Sequence, residues 1–227
     1  MMGTIVNSIA VVAGALLGVL LRKGIKEQYT STIMDGMALA VVIIGIMGAM
    51  EMNNLIVVLA SIVVGSIIGE KLDLDKRLDN LGTSMEKRFG KGDSDFSKGF
   101  IMASLVYCIG AMSILGALES GLTGNHETLY AKSVLDGVSA VIFASTFGIG
   151  VAFSAVAVFI YQGSITLLAS SVKDLLTPEV INEMSSIGGI LIMAIGINIL
   201  GIKKVKIANM LPAIFIPIVY YSLVALF

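Results

Sequence analysis

Charge is scarce in this chain. Only 14% of its 227 residues are Asp, Glu, Lys or Arg, while 56% are hydrophobic, and the mean hydropathy is +0.96. A soluble domain carries about 25% charged residues, so water is excluded as the main solvent. The 15 Lys and Arg set against 16 Asp and Glu leave no basic surface for nucleic acid. Cysteine is nearly absent. Cys108 stands alone inside an apolar run, which excludes an internal disulfide framework and a thiolate metal site within one chain. The single histidine, His126, falls in a predicted extracytoplasmic loop, so neither a His-x-x-x-His zinc site nor a Ser–His or Cys–His pair can be assembled in the membrane. No Gly-x-x-x-x-Gly-Lys-Ser/Thr loop occurs, which argues against ATP as a direct energy source. The expectation is a protein that is not an enzyme and needs no cofactor.

What the chain does have is a series of apolar runs, at about 3–21, 33–50, 54–69, 99–118, 134–171, 187–202 and 208–227. A helix needs about 20 residues to cross the hydrocarbon core. The run 134–171 is twice that length and holds one charge, Asp136, so it is predicted to cross twice, turning near Gly148-Ile149-Gly150 or a few residues later. The fold class expected is an all-α integral membrane protein of about eight transmembrane helices, with the lipid bilayer as its first partner. Ala13-Gly14-Ala15 mimics a signal cleavage site, but no Lys or Arg precedes the run and it continues to Leu21, so the first run reads as a retained span. Leu74, Leu78, Leu81, Met85 and Phe89 recur at helical spacing and predict an amphipathic surface helix over 70–89, stopped by Gly90-Lys91-Gly92. Thr177-Pro178-Glu179 supplies an N-cap, a first-turn proline and a first-turn acid, which predicts a short helix before the seventh span.

Orientation follows from the basic residues. Under the eight-span reading the odd-numbered loops hold Arg22, Lys23 and Lys26; Lys71, Lys76, Arg77, Lys87, Arg88, Lys91 and Lys98; and Lys203, Lys204 and Lys206. The even-numbered loops hold only Lys132 and Lys173. The positive-inside rule then puts the odd loops in the cytoplasm and both termini outside.

The chain reads as one polytopic domain, 1–227, in four stretches: a three-helix set over 1–69, a cytoplasmic amphipathic linker over 70–98, a second three-helix set over 99–171 and two C-terminal helices over 172–227. Met34-Asp35-Gly36-Met37 opens the second span and Leu135-Asp136-Gly137-Val138 opens the fifth, each the middle span of its set. Three crossings invert the chain, so the pair suggests a 3+3 inverted repeat with two added helices, an architecture common in secondary transporters. The alternative is a chance match, since Asp-Gly is a frequent helix-start dipeptide.

Asp136 is the leading candidate for chemistry, because an acid inside hydrocarbon is expensive and normally faces a partner or a watery cavity. Ala140, Ala144 and Gly148 share its face, leaving space for a cation such as Na⁺. Asp136 and Asp35 read either as ion sites or as acids serving the helix start. Ser145 and Thr146, beside the Gly148–Gly150 break, read either as hydroxyl ligands or as part of an ordinary turn. Asn7, Asn198 and Gln162 are amides in apolar helices, suited to a small solute or to interhelical hydrogen bonds. Gly14-x-x-x-Gly18 and Gly65-x-x-x-Gly69 form flat grooves, used either for packing within the chain or as a homodimer seam.

Several stretches carry a resemblance. Ala103-Ser104-Leu105-Val106-Tyr107-Cys108, Lys132 to Gly137, Phe143-Ala144-Ser145-Thr146 and Tyr161-Gln162-Gly163-Ser164, with Gly188-Gly189-Ile190, Gly196 to Gly201, Asn209 to Ala213 and Gly3 to Asn7, resemble the bacterial membrane family catalogued as domain of unknown function 554. That resemblance implies a bacterial cytoplasmic-membrane protein of a family regarded as transporters or uncharacterised, and it brings no mechanism. The function expected is ion-coupled secondary transport of a small solute or ion; the alternatives are a passive channel and a membrane scaffold.

Overall fold

The structure is a computed structural model that describes residues 1–22, 27–78, 80, 84 and 96–224. Among them every regular element is helical: α1 (Met2–Arg22), α2 (Glu27–Ala49), α3 (Leu55–Leu72), α4 (Phe96–Cys108), α5 (Ala111–Leu122), α6 (Glu127–Phe147), α7 (Gly150–Leu167), α8 (Ala169–Val172), α9 (Pro178–Ile199), α10 (Ile207–Met210), a 3₁₀ turn (Leu211–Phe215) and α11 (Ile216–Val224). Six of the described segments are long and apolar enough to cross a membrane, and α4 with α5 makes a seventh if the bent pair is one span. α6 is as long as α1, but Glu127, Lys132 and Asp136 make it less apolar. Ile9, Leu20, Ile56, Val63 and Ile67 are each more than half exposed, an apolar surface suited to lipid rather than to water. α9 is the opposite case, with 78% of its apolar window buried.

The chain divides into two compact units. The first holds Met1–Met34, Leu81–Cys108 and Met112–Ser171; the second holds Asp35–Asn80, Ile109–Ala111 and Val172–Phe227. In the first unit α1 packs against α6 and α7.

Within the first unit α1 and α6 run parallel. Gly3 meets Leu129, Gly14 meets the Gly137 carbonyl and Gly18 meets that of Val141. Lipid supplies no hydrophobic force between helices, so such small-residue faces associate through close van der Waals contact. The bent α4–α5 pair runs parallel to α7: Gly150 lies on the Phe96 carbonyl and Gly121 on that of Thr166. In the second unit α2 and α9 are antiparallel, with Gly45 against Met193 and Gly196 against Val42. α3 is antiparallel to the last segment, with Gly65 against Ala213 and Gly69 against Asn209. Both Gly-x-x-x-Gly grooves are thus filled by the chain's own helices, the within-chain alternative of the two that the sequence left open.

Other expectations change in detail. The run 99–118 is not one straight helix: it bends by 60° between α4 and α5, where Gly110 takes φ 133°. α3 continues to Leu72 and stops at Asp73 in the left-handed region; residues 74–78 are again helical, whereas Leu81, Met85, Phe89 and the Gly90-Lys91-Gly92 stop lie outside the described residues. Thr177 does cap a helix, accepting from the Val180 N–H, but that helix is α9 itself, unbroken for 22 residues. Pro212 and Pro217 deny backbone donors to their turns, and the last span accordingly passes through the 3₁₀ turn. The run 134–171 is divided between α6 and α7, which meet at Gly148–Gly150, where Gly148 adopts φ 75°. The fifth segment begins earlier than the apolar run, at Glu127. Lys132 is therefore a buried helical residue rather than part of an external loop.

Candidate functional site

The buried face of α1 is written at helical spacing: Thr4, Asn7, Val11, Gly14 and Gly18. The same period on α6 buries Leu129, Lys132, Asp136, Ala140 and Phe143, and on α7 Val151, Ser154, Val158 and Gln162. Each stripe contains polar members, and packing the stripes together brings those members into contact inside the first unit.

Lys132 and Asp136 form an ion pair one helical turn apart, with Nζ to Oδ1 at 3.0 Å and both side chains under 10% exposed. The other carboxylate oxygen, Oδ2, accepts from Asn7 Nδ2 at 3.0 Å. The same Asn7 nitrogen donates to Gln162 Oε1 at 3.3 Å, and Gln162 Nε2 donates to Ser113 Oγ at 3.0 Å. Asn7, Gln162 and Ser113 are fully buried. Asn7 Oδ1 is the open end of the network, a buried acceptor with no partner. Four helices, α1, α5, α6 and α7, are thus joined by one chain of hydrogen bonds that starts at this carboxylate. Asp136 lies nine residues from the start of α6 and eleven from its end, about 14 Å from the start at about 1.5 Å per residue. It is a mid-helix group, not a helix-start acid.

A bare carboxylate at that depth has a severe desolvation penalty, and the Lys132 ammonium with a donor on each oxygen offsets it. A shallow apolar groove of about 540 Å³ runs outside the network along α1 and α6, between Val6, Ala10, Gly14, Gly137 and Val141.

The remaining candidates are not members of this network. Asp35 is exposed on α2, in the second unit. Asn198 clasps the loop after α9, donating to the Val205 carbonyl at 2.9 Å and accepting its N–H at 2.7 Å. Ser145 and Thr146 both donate to the Ile142 carbonyl of their own helix, at 2.7 and 3.4 Å. Among the described residues no group of three or more His, Cys, Asp or Glu side chains is placed to hold a metal.

Two members of the network escaped the sequence reading. Lys132 carried a signal, its position four residues before Asp136; Ser113 carried none, since nothing in the pattern announces the bend that presents it. Glu183, on α9 in the second unit, is also fully buried. Its signal was its spacing from Val180 and Ile187 on the buried face of α9.

Comparison with known proteins gives the family. Residues 2–222 match the family model described as "Protein of unknown function (DUF554)". The chain is 37% identical over 221 residues to "Uncharacterized membrane protein YdfK" of Bacillus subtilis (strain 168), covering 96% of this chain and 94% of that protein. It is 30% identical over 217 residues to "Uncharacterized protein YqgA" of Escherichia coli (strain K12), covering 93% and 92%. No solved structure matches. With its apolar helices, lipid-exposed faces and near full-length relatives, the chain is a multi-pass membrane protein and belongs to the DUF554 family.

Proposed function

We propose that this protein is an ion-coupled secondary transporter of a small solute in the bacterial cytoplasmic membrane, with the Lys132–Asp136 pair as its coupling element. The observation that carries the reading is a buried ion pair on α6, linked through the amides of Asn7 and Gln162 to three neighbouring helices. Buried ion pairs are weak contributors to stability against an apolar substitute, so their presence inside a membrane points to work on a charge.

The reading takes the chain to cross eight times with both termini outside. Numbered as spans, α1 and α6 are first and fifth, the bent pair and α7 fourth and sixth, α2 and α9 second and seventh, and α3 and the last segment third and eighth. Alternate crossing then demands two parallel and two antiparallel pairs, in agreement with the packing directions within each unit. Removing α6 from the count would make the bent pair and α7 antiparallel. The burial of Lys132 also leaves Lys173 as the one basic residue in the even loops, which sharpens the positive-inside asymmetry.

In the proposed cycle a proton on Asp136 frees the Lys132 ammonium, which then holds an anionic or carbonyl group of the solute, while Asn7 Oδ1 accepts from a solute donor. Release of the solute re-forms the pair and expels the proton. Na⁺ fits Asp136 less well, because the Lys132 ammonium already occupies the cation position. The competing reading is a structural pin that holds four helices together without transport, as a scaffold would; it is favoured by the hydrogen bonds that Ser133 and Ser154 return to their own helices.

The test is proton flux into proteoliposomes loaded with a pH-sensitive dye, screened against a panel of small anions and zwitterions. A saturable, solute-dependent pH change in the wild type, absent in Asp136→Asn that still folds, is the expected outcome. Equal flux in both proteins removes Asp136 from the coupling; flux that does not saturate indicates a channel.

A further inference from the structure

The second unit has its own buried acid, differently supplied. Glu183 is fully buried on α9. Its Oε1 accepts the Asn54 N–H at 2.6 Å, and Asn54 in turn caps α3 by accepting from the N–H groups of Ile56 and Val57. Its Oε2 is buried with no hydrogen-bond partner. The hydroxyls of Ser185 and Ser186, buried in the same turn of helix, are likewise without partners, and Ser186 lies on the Glu183 face, three residues on. Among the described residues no Lys or Arg is paired with Glu183, in contrast to Asp136 and Glu70, which hold Lys132 and Lys206. The groups that face it are Tyr221 on α11, through its hydroxyl, and the Asn53 N–H beside that of Asn54; Glu179 on its own helix and Glu51, in the turn before α3, are exposed.

We infer that Glu183 is a proton-binding site, taking up a proton on Oε2 in the folded protein, with the Asn54 N–H holding the other oxygen. A buried carboxylate without a counter-charge takes up a cation rather than remain bare. The oxygens gathered here are too few for a metal ion, which needs several ligands, and a proton needs one. The contrast with Asp136 is chemical: there a lysine supplies the positive charge, whereas here it must come from solution. Because Oε1 fixes the residue that caps α3, protonation of Glu183 and the start of α3 are linked. This inference stands apart from the transport reading, since a proton site on α9 requires no substrate.

The experiment is infrared spectroscopy of the whole purified protein in lipid nanodiscs at neutral pH. A protonated carboxylic acid has a carbonyl stretch separate from the bands of carboxylate and amide. That band is expected in the wild type, retained in Asp136→Asn and lost in Glu183→Gln. Where Glu183→Gln fails to fold, wild-type protein made with glutamate labelled with heavy carbon at the side-chain carboxyl answers the same question, because the band must shift to lower frequency. Exchanging potassium for sodium at fixed pH should leave it unchanged. A band that survives Glu183→Gln, fails to shift with the label, or is absent from the wild type overturns the proposal; so does a band abolished by sodium, which would make this a metal-cation site.

Discussion

Replacing Lys132 by methionine keeps much of the side chain's volume and removes its charge. Asp136 is then left buried, with Asn7 as its remaining donor. Removing one partner of a buried pair costs about 3–5 kcal/mol, and with both side chains under 10% exposed solvent screening does little to reduce it. Asp136→Asn should be costly in the same way, because it strands the ammonium. The double variant Lys132→Met with Asp136→Asn has no charge to strand, and the side-chain amide introduced at position 136 can still accept from Asn7. An interhelical hydrogen bond inside a membrane averages about 0.6 kcal/mol, so the double variant should lie within about 1 kcal/mol of the wild type, more stable than either single variant. Unfolding in mixed micelles of rising denaturing-detergent content, followed by far-ultraviolet circular dichroism because the chain has no tryptophan, measures all four proteins. Additivity of the two single effects within about 0.5 kcal/mol would refute the pair as an energetic unit. A stable double variant that has lost solute-driven proton flux would separate the coupling role from the structural one.

Three further outcomes are expected. In the same assay Gly69→Ala, whose new Cβ would strike the Asn209 backbone, should destabilise by about 1–3 kcal/mol; Gly163→Ala, whose Cβ would find its nearest atom at 3.5 Å, should be neutral or stabilising by up to about 1 kcal/mol. Asn209→Ala breaks part-buried bonds to Glu70 and to the Asp75 N–H and should cost about 1–3 kcal/mol. Lys206→Gln removes an exposed pair and should matter little at neutral pH. Its hydrogen bond to Glu70 holds the Lys206 ammonium above the ordinary lysine range; that contribution is complete below the unfolded lysine pKa of about 10.4 and is lost as pH rises through the folded value, so Lys206→Gln should flatten the alkaline end of the melting-temperature profile. Finally, in a Cys108→Ser background, cysteines at Asn125 and Asp174 should react with an impermeant thiol reagent on intact cells and a cysteine at Lys204 should not; the reverse pattern would invert the topology.

The apolar runs made the helices legible, because hydrocarbon thickness dictates length whatever the neighbours are. Gly148 was legible for a similar reason: a double-length run has to turn, and glycine tolerates the backbone that the turn requires. Asn7, Asp136 and Gln162 stood out as polar groups in apolar stretches, yet their mutual contact depends on which helices pack together, and no local pattern encodes that choice. Lys132 was assigned to a loop because the hydropathy window begins after it, although its i, i+4 relation to Asp136 was present. The bend before Ser113 and the continuity of α9 through Glu183 were hidden for opposite reasons. In the first an apolar run concealed a break, and in the second polar residues concealed a helix.

The distance in sequence between α1 and its partners also sets a timetable. Asp136 and Gln162 follow Asn7 by 129 and 155 residues, and at about 5–20 residues per second a ribosome needs about 8–30 s to produce that interval. Throughout it α1 is already made while the groups that satisfy its amide do not yet exist. The first helix therefore enters the membrane on the strength of its leucines and valines alone, and a chain interrupted before α7 leaves behind an unfinished bundle with a polar group facing lipid, a natural substrate for membrane quality control.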